Sequence, residues 1–415
     1  MPNNLQPPKS PISPNSVGPV EKKQIGMVEF CALMAFLISM VALSIDIMLP
    51  VIDVVGEELG APDANSAQLI VIYLFIGLGF GQLIYGPVSD TVGRKPAILS
   101  GFVIFIIGTL ISIFAKDFDT MLAGRFLQGL GAAAPRIVAM ALIRDVYSGR
   151  AMAQVTSVIM GFFIIVPAIA PALGQGILMF AEWRMIFYVL LGQAFLCLLW
   201  FYTRQIETLR PEFRRSLSPI KMGAALWEIF NTRISFWYTI AAGIIFGAFI
   251  GYLITSPQIF EDIYGIKEKF PFYFGGLAIA IGCASIFNAR LVMRLGMRRL
   301  CLTALSLQVT LSLVFFALAL LNNGELSLFL FMVWAAGAFF MLGFLFGNFN
   351  AIAMEPLGHI AGIGSAFVGG VSTFISLTIA RAIGAAYHEN ITPIIGGFAL
   401  LGIISILIMK WADRE

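Results

Sequence analysis

The chain has 415 residues, 59% of them hydrophobic and only 12% charged, with a formal net charge of +3 and a mean hydropathy of +0.91. A water-soluble protein carries about 25% charged residues, so half that complement excludes a soluble globular domain and leaves most of the surface to face lipid. The 37 Phe and 41 Gly suit packed membrane helices.

The first 27 residues, beginning "MPNNLQPPKSPISPNSVGPVEKK", are rich in Pro, Ser and Asn and read as a disordered tail. They do not resemble a signal peptide, which needs a short apolar core and a small-residue cleavage site. A bilayer core about 30 Å thick takes roughly 20 apolar residues per helix. That rule yields twelve spans at 28–52, 65–88, 97–115, 119–144, 151–178, 184–203, 234–257, 270–289, 300–321, 326–353, 362–387 and 392–410. Six spans form a first bundle, 28–203, and six a second, 234–411, followed by a tail, 412–415. Between the bundles lies the longest polar interval, "RQIETLRPEFRRSLSPIKMGAALWEIFNTR" (204–233). It is basic and broken by Pro, and reads as a linker along the inner membrane surface, part of it an interfacial helix.

Of the 26 Lys and Arg, three lie inside apolar runs. With the N-terminus inside, nineteen fall on the inner side and four on the outer side, and this bias places both termini in the cytoplasm. Six spans plus six suggest a parallel repeat with a cavity between the halves. The loop after span 2, "SDTVGRKP", has a weak counterpart after span 8, "ARLVMRLGMRR".

"GPVSDTVGRKP" (86–96) resembles the loop signature of the major facilitator superfamily, and "RFLQGLGAAA" the span-4 signature of its drug/proton antiporters. "SIDIMLP", "SPQIF" and "AMEPLGHIAGIGSA" are similar to segments of the Bcr/CflA branch of bacterial drug exporters. Two departures stand out. Met48 replaces the branch's aromatic residue in span 1, and Ala170 and Gln175 replace two glycines of the span-5 antiporter signature, which keeps Pro171 and Gly174. The resemblance covers about residues 28–410. It implies an all-α fold of twelve transmembrane helices in two pseudo-symmetric six-helix bundles, seated in a bacterial inner membrane. It also implies proton-coupled export of chemically diverse small molecules by alternating access.

Four charged side chains sit inside the apolar runs: Asp46, Arg125, Arg136 and Arg381. Each costs about 2.5 kcal/mol or more in hydrocarbon, so each belongs against protein or water and is a functional candidate. Arg125 and Arg136 are eleven residues apart, which at about 100° per residue returns to nearly the same face, about 16 Å along the helix. Gln128, Gly129 and Ala132 share that stripe. Asp46 and Arg125 each lie about six residues from the outer end of their spans, and in the superfamily fold both spans line the cavity. The two are therefore expected within reach, directly or through a water, as a proton-coupling pair. A fixed structural ion pair is the alternative. Pro50 leaves the carbonyl of Asp46 without its helical partner, so span 1 is expected to bend there. Arg136, following Pro135, reads either as a substrate-facing charge favouring anionic or strongly hydrogen-bonding compounds or as a clamp on freed carbonyls. Arg381 reads as a snorkelling side chain.

Asp90, Gly93, Arg94 and Lys95 fall between spans 2 and 3. The resemblance implies a latch that closes the cytoplasmic side, with Arg144 as the partner of Asp90 and Pro171 as part of the gating span 5. A topology signal without gating is the alternative. Tyr73, Tyr252 and Asn348, with Gln128, complete the candidate substrate contacts, in an apolar aromatic pocket suited to amphipathic compounds. Helix-to-helix hydrogen bonding is the alternative for Asn348.

Four cysteines, Cys31, Cys197, Cys283 and Cys301, lie far apart in apolar segments, and only His359 and His388 accompany them. That spacing gives no zinc, haem or disulfide framework, and no cofactor or metal is expected. There is no Walker-type phosphate loop and no cluster of nucleophile and base, so the chain reads as a non-enzymatic, monomeric transporter. Its expected partners are a small-molecule substrate, protons and the lipid bilayer, with no nucleic acid. Import of an anionic metabolite on the same fold is the second reading.

Overall fold

A computed structural model of the chain describes residues 25–147, 149–214 and 219–414. Most of the expected N-terminal tail and the middle of the linker lie outside the described residues. The rest is helical: α1 (Met27–Asp46), α2 (Ile52–Glu58), α3 (Leu69–Val92), α4 (Arg94–Ile113), α5 (Phe118–Val146), α6 (Gly149–Leu178) and α7 (Arg184–Arg204) precede the linker. The linker holds α8 (Pro219–Asn231), and then come α9 (Arg233–Gln258), α10 (Phe270–Leu295), α11 (Met297–Leu321), α12 (Leu328–Met354), α13 (Ala361–Ala385) and α14 (Thr392–Ala412). Ten helical stretches are long and apolar enough to cross a membrane, and one of them, Leu328–Ala385, contains both α12 and α13. The remaining crossing is α6, whose apolar part within the described residues is Ile165–Leu178. Twelve crossings result, with both described chain ends, the linker and most of the Lys and Arg at one end of the molecule. That end is called here the basic end, and the opposite one the far end.

Three helix boundaries matter for function. The helix of span 1 stops at Asp46 instead of running on to 52. The amides of Ile47 and Met48 turn back to the carbonyls of Leu43 and Ile45, Leu49–Val51 forms a single tight turn containing Pro50, and α2 continues the span. A proline ring cannot donate to the preceding turn, and the bend follows. Between α3 and α4 there is no loop beyond Gly93, whose φ of 111° and ψ of 160° belong to a region only glycine enters freely. Asp90 therefore sits in the last turn of α3, and Arg94 and Lys95 in the first turn of α4. Gly296 repeats the device between α10 and α11, with φ 76° and ψ 157°, so the weak sequence repeat corresponds to a repeated hinge.

Lipid tails are as apolar as leucine, so membrane helices gain by close packing and not by hiding from water. Accordingly α5 packs through small residues. A Cβ at Gly129 would lie 1.8 Å from the carbonyl oxygen of Leu74 on α3, and one at Gly131 would lie 2.5 Å from that of Gly101 on α4. Side chains such as Phe195, Leu196 and Leu199 on α7 and Leu313 and Val314 on α11 point outward, as a lipid-facing belt requires. The two halves meet along α3 and α13, from Gln68 against Gly384 at the far end to Asp90 against Gly362 at the basic end. A second contact joins α6 to α10, where Gly275 faces the carbonyl of Ala168.

Candidate functional site

The break in span 1 builds the centre of the site. Because the amide of Met48 bonds to Ile45, the carbonyl of Ser44 is released, and Arg125 on α5 donates to it from Nη2 at 2.8 Å. Arg125 also donates from Nε to the carbonyl of Ile70 at 3.1 Å and from Nη1 to Gln128 Oε1 at 2.8 Å. Gln128 Nε2 in turn donates to Thr109 Oγ1 on α4 at 2.8 Å. Arg125 is fully buried, with the Phe187 ring 5.9 Å from its guanidinium carbon. A guanidinium at the carbonyl-bearing end of α1 also meets the negative pole of that helix.

Asp46 and Arg125, expected within reach directly or through a water, make no direct ion pair. Asp46 is 4% exposed, and among the described residues its carboxylate has neither a hydrogen-bond donor nor a cation against it. The juxtaposition of spans 1 and 4 stands, but Arg125 spends its donors on two carbonyls and an amide. The far half of span 5 closes over the same break. A Cβ at Gly174 would lie 2.1 Å from the carbonyl of Ile47 and 3.1 Å from the Pro50 ring, while Pro171 is buried one turn earlier in an unbroken α6.

Arg136 lies about one helical turn toward the basic end from Ala132, half-buried and with no partner among the described residues. Tyr73 on α3 is likewise half-buried without a partner. The other substrate candidates are engaged elsewhere. Gln128 is a strut between α5 and α4. Asn348 donates to Asn288 Oδ1 and to the carbonyl of Phe344, each at 2.8 Å, and so joins α12 to α10. Tyr252 is wedged against Phe331 and Phe339 of α12, its hydroxyl buried without a partner. Arg381 is exposed on α13. Phe75 and Phe246 make an edge-to-face contact across the two halves, centroids 6.3 Å apart, and Phe246 continues into Phe249 and Phe346. An outward groove of about 500 Å³ between α11 and α14, lined by Phe316, Pro393 and Leu400 among others, faces the lipid side and none of this chemistry.

At the basic end the residues expected to form a latch make one network. Arg94, 5% exposed, donates to Asp90 Oδ1 at 2.5 Å, to Asp145 Oδ2 at 3.0 Å and to Ser89 Oγ at 2.9 Å. Asp90 thus pairs with Arg94, and Asp145 completes the pair. Arg144, its expected partner, points outward and is exposed, because α5 remains helical to Val146 and turns adjacent residues about 100° apart. Glu207 of the linker accepts from the amides of Arg94 and Lys95, both at 3.0 Å, so a carboxylate occupies the start of α4, where exposed amides and the helix dipole favour it. Lys95 Nζ donates to the carbonyls of Tyr202 and Gln205 at the end of α7, each at 2.7 Å. The other oxygen of Asp90 lies 2.6 Å from where a Cβ of Gly362 would stand, against the first turn of α13 in the opposite half. Sequence reading missed Glu207, Asp145, Thr109 and the seam residues Gln68, Gln258 and Asp53. Their contacts join distant parts of the chain and leave no local pattern.

The sequence matches the profile of the Major Facilitator Superfamily over residues 32–385. It is 30% identical to the MFS-type transporter YdgK of Bacillus subtilis over 393 residues, covering 89% of this chain and 95% of that one. It is 26% identical to a bicyclomycin resistance protein homolog of Haemophilus influenzae over 369 residues, covering 88% and 90%. Among solved structures, the xylose transporter XylE of Escherichia coli, in a partially occluded inward-open conformation, superposes with a TM-score of 0.71 at 13% identity, over 94% of this chain and 98% of that one. Twelve apolar crossings, two helical halves and a match across most of its length place the chain in the Major Facilitator Superfamily, as a multi-pass membrane transporter of small molecules.

Proposed function

We propose that the protein exports chemically diverse small molecules in exchange for protons, with its basic end facing the cytoplasm of a bacterial cell. The observation that carries this reading is Asp46. It is an acid inside the membrane-spanning bundle, at the carbonyl-bearing end of α1, with no hydrogen-bond donor or cation against it among the described residues. A carboxylate in such a place is the group whose charge the fold does least to hold, and a proton is the smallest partner that relieves it. Arg125 keeps the break in span 1 open by holding the released Ser44 carbonyl, so the acid stays at a hinge between α1 and α2. Arg136, an intramembrane cation without a partner among the described residues, supplies the polar anchor for a substrate whose apolar body rests on the aromatic contacts around Phe246. The resistance name of the Haemophilus relative supports drugs or toxic metabolites as cargo.

The test is proton movement in inside-out vesicles, followed with a pH-sensitive dye while a panel of drugs is added. A drug that triggers proton release in the native protein and not in Asp46→Asn supports antiport, and Arg136→Ala should change which drugs respond. Normal coupling in Asp46→Asn removes Asp46 from the role. If cells expressing the protein accumulate more of an anionic compound instead of less of a drug, the direction is import.

A further inference from the structure

At the far end, where the two halves meet, α2 carries a second acid that the mechanism above does not use. Asp53 is seven residues beyond Asp46, and the intervening Ile47, Met48 and Leu49 are fully buried, so the two carboxylates belong to separate places. The side chain of Gln258, at the end of α9, bridges the halves. It accepts from Gln68 Nε2 at 2.8 Å and hydrogen-bonds the Asp53 carboxyl. A second bridge runs from Asn65 Nδ2 to the carbonyl of Tyr387 at 3.4 Å.

The seam is short of hydrogens. Asp53 Oδ1 and Gln68 Oε1 are both buried without a donor. The charged groups around Asp53 are already committed. Lys267 is paired with Glu261 at 2.6 Å, Asp262 accepts from the Tyr387 hydroxyl at 3.3 Å, and Glu58 holds Arg184 and Trp183. Asp63, nearby, accepts from the hydroxyl and amide of Ser66, which hold its carboxyl below the usual range, so it stays ionised and does not report pH. Burying a carboxylate oxygen with no donor is costly. One proton on Asp53 removes that cost, while separation of the halves removes it by hydration.

We propose that Asp53 is the protonatable bolt of the far-end seam: with a proton it lets the two halves close there, and without one it favours their opening. External protons would thus drive closure of the outer side, the direction that an exchanger loading protons from outside requires. The inference rests on the alternating-access reading above.

Spin labels on exposed Lys116 of the first half and Glu268 of the second, with Cys283→Ser to remove the exposed thiol, report the separation by pulsed dipolar spectroscopy in lipid nanodiscs. The far-open population should rise from acidic to alkaline medium, by at most about tenfold per pH unit for a single proton. Asp53→Asn, which carries its own hydrogens, should hold the closed distance at every pH, and Asp53→Glu should keep the pH response. Asp46→Asn should leave it in place. A pH response that survives in Asp53→Asn overturns the proposal. So does a native protein whose distances answer to a transported drug and not to pH, and in that case alternating access stands. If neither drug nor pH changes the distances, the alternating-access reading fails and this inference falls with it.

Discussion

The two halves carry the same hinge and use it differently. After α3 and after α10 a single glycine with positive φ joins two helices, and a basic pair follows it. In the first half the acid three residues before the glycine is Asp90, and the arginine after it is buried among Asp90, Asp145 and Ser89, with Glu207 sealing the helix start. In the second half the equivalent positions are Met293 and Met297. Met293 is 85% exposed, and Arg298 reaches only long contacts, 3.7 Å to Glu355 and 3.6 Å to Asp413. The hinge is thus a property of the repeated backbone, whereas the charge network depends on burial and on an acid facing α13. One copy can join the halves, and the other can only turn the chain.

The sharpest way to break this comparison is to remove the two arginines. Arg94→Ala leaves Asp90 and Asp145 partly buried without their cation and should destabilise by roughly 2 to 4 kcal/mol, toward the lower side of a broken buried pair because both acids keep some solvent. Arg298→Ala should cost less than about 0.5 kcal/mol, as exposed pairs do. Unfolding midpoints in detergent compare the two, and similar shifts would end the distinction. The glycines come next. Gly93→Ala and Gly296→Ala both force a side chain into a glycine region, costing roughly 1 to 3 kcal/mol. Gly93→Ala should cost about 1 kcal/mol more, since its Cβ would stand 2.5 Å from Glu207 Oε2 and displace that cap. Nothing lies within reach of a Cβ at Gly296. A smaller effect is expected for Glu207→Gln, about 1 kcal/mol, seen as faster hydrogen exchange at the amides of Arg94 and Lys95 with none at the equivalent Met297 and Arg298.

The span pattern was legible because hydrocarbon thickness dictates apolar length, and Asp46 and Arg125 were legible because charges inside such runs are rare and costly. What Arg125 holds was not. Depth arithmetic brought it level with Asp46, but only the backbone break reveals that a free carbonyl, and not Asp46, takes its hydrogens. The turn of a helix decided two further cases. Arg144 and Asp145 are neighbours in sequence, yet only Asp145 faces Arg94. Gln128 shares a stripe with Arg136 but lies where Thr109 can use its amide. Glu207 is 113 positions from Arg94, and Asp53 sits one residue beyond the predicted end of span 1. Such contacts follow from how the halves and the linker fold back, which no local periodicity records.

The smallest predicted effect tests whether the motif or its surroundings make the latch. Met293→Asp with Met297→Arg writes the first half's acid and arginine into the second half at the same four-residue spacing. On an exposed helix face such a pair is worth about 0.3 to 0.5 kcal/mol and is screened by salt. Met293 is 85% exposed, so the new acid would face no neighbouring helix among the described residues, and the carboxylates there, Glu355 and Asp413, already lie against Arg298. The double variant should therefore shift the unfolding midpoint barely at all and leave the transport rate unchanged. A stabilisation above about 1 kcal/mol, or slowed transport, would mean that the residues suffice wherever the hinge presents them and that burial is not what separates the two copies.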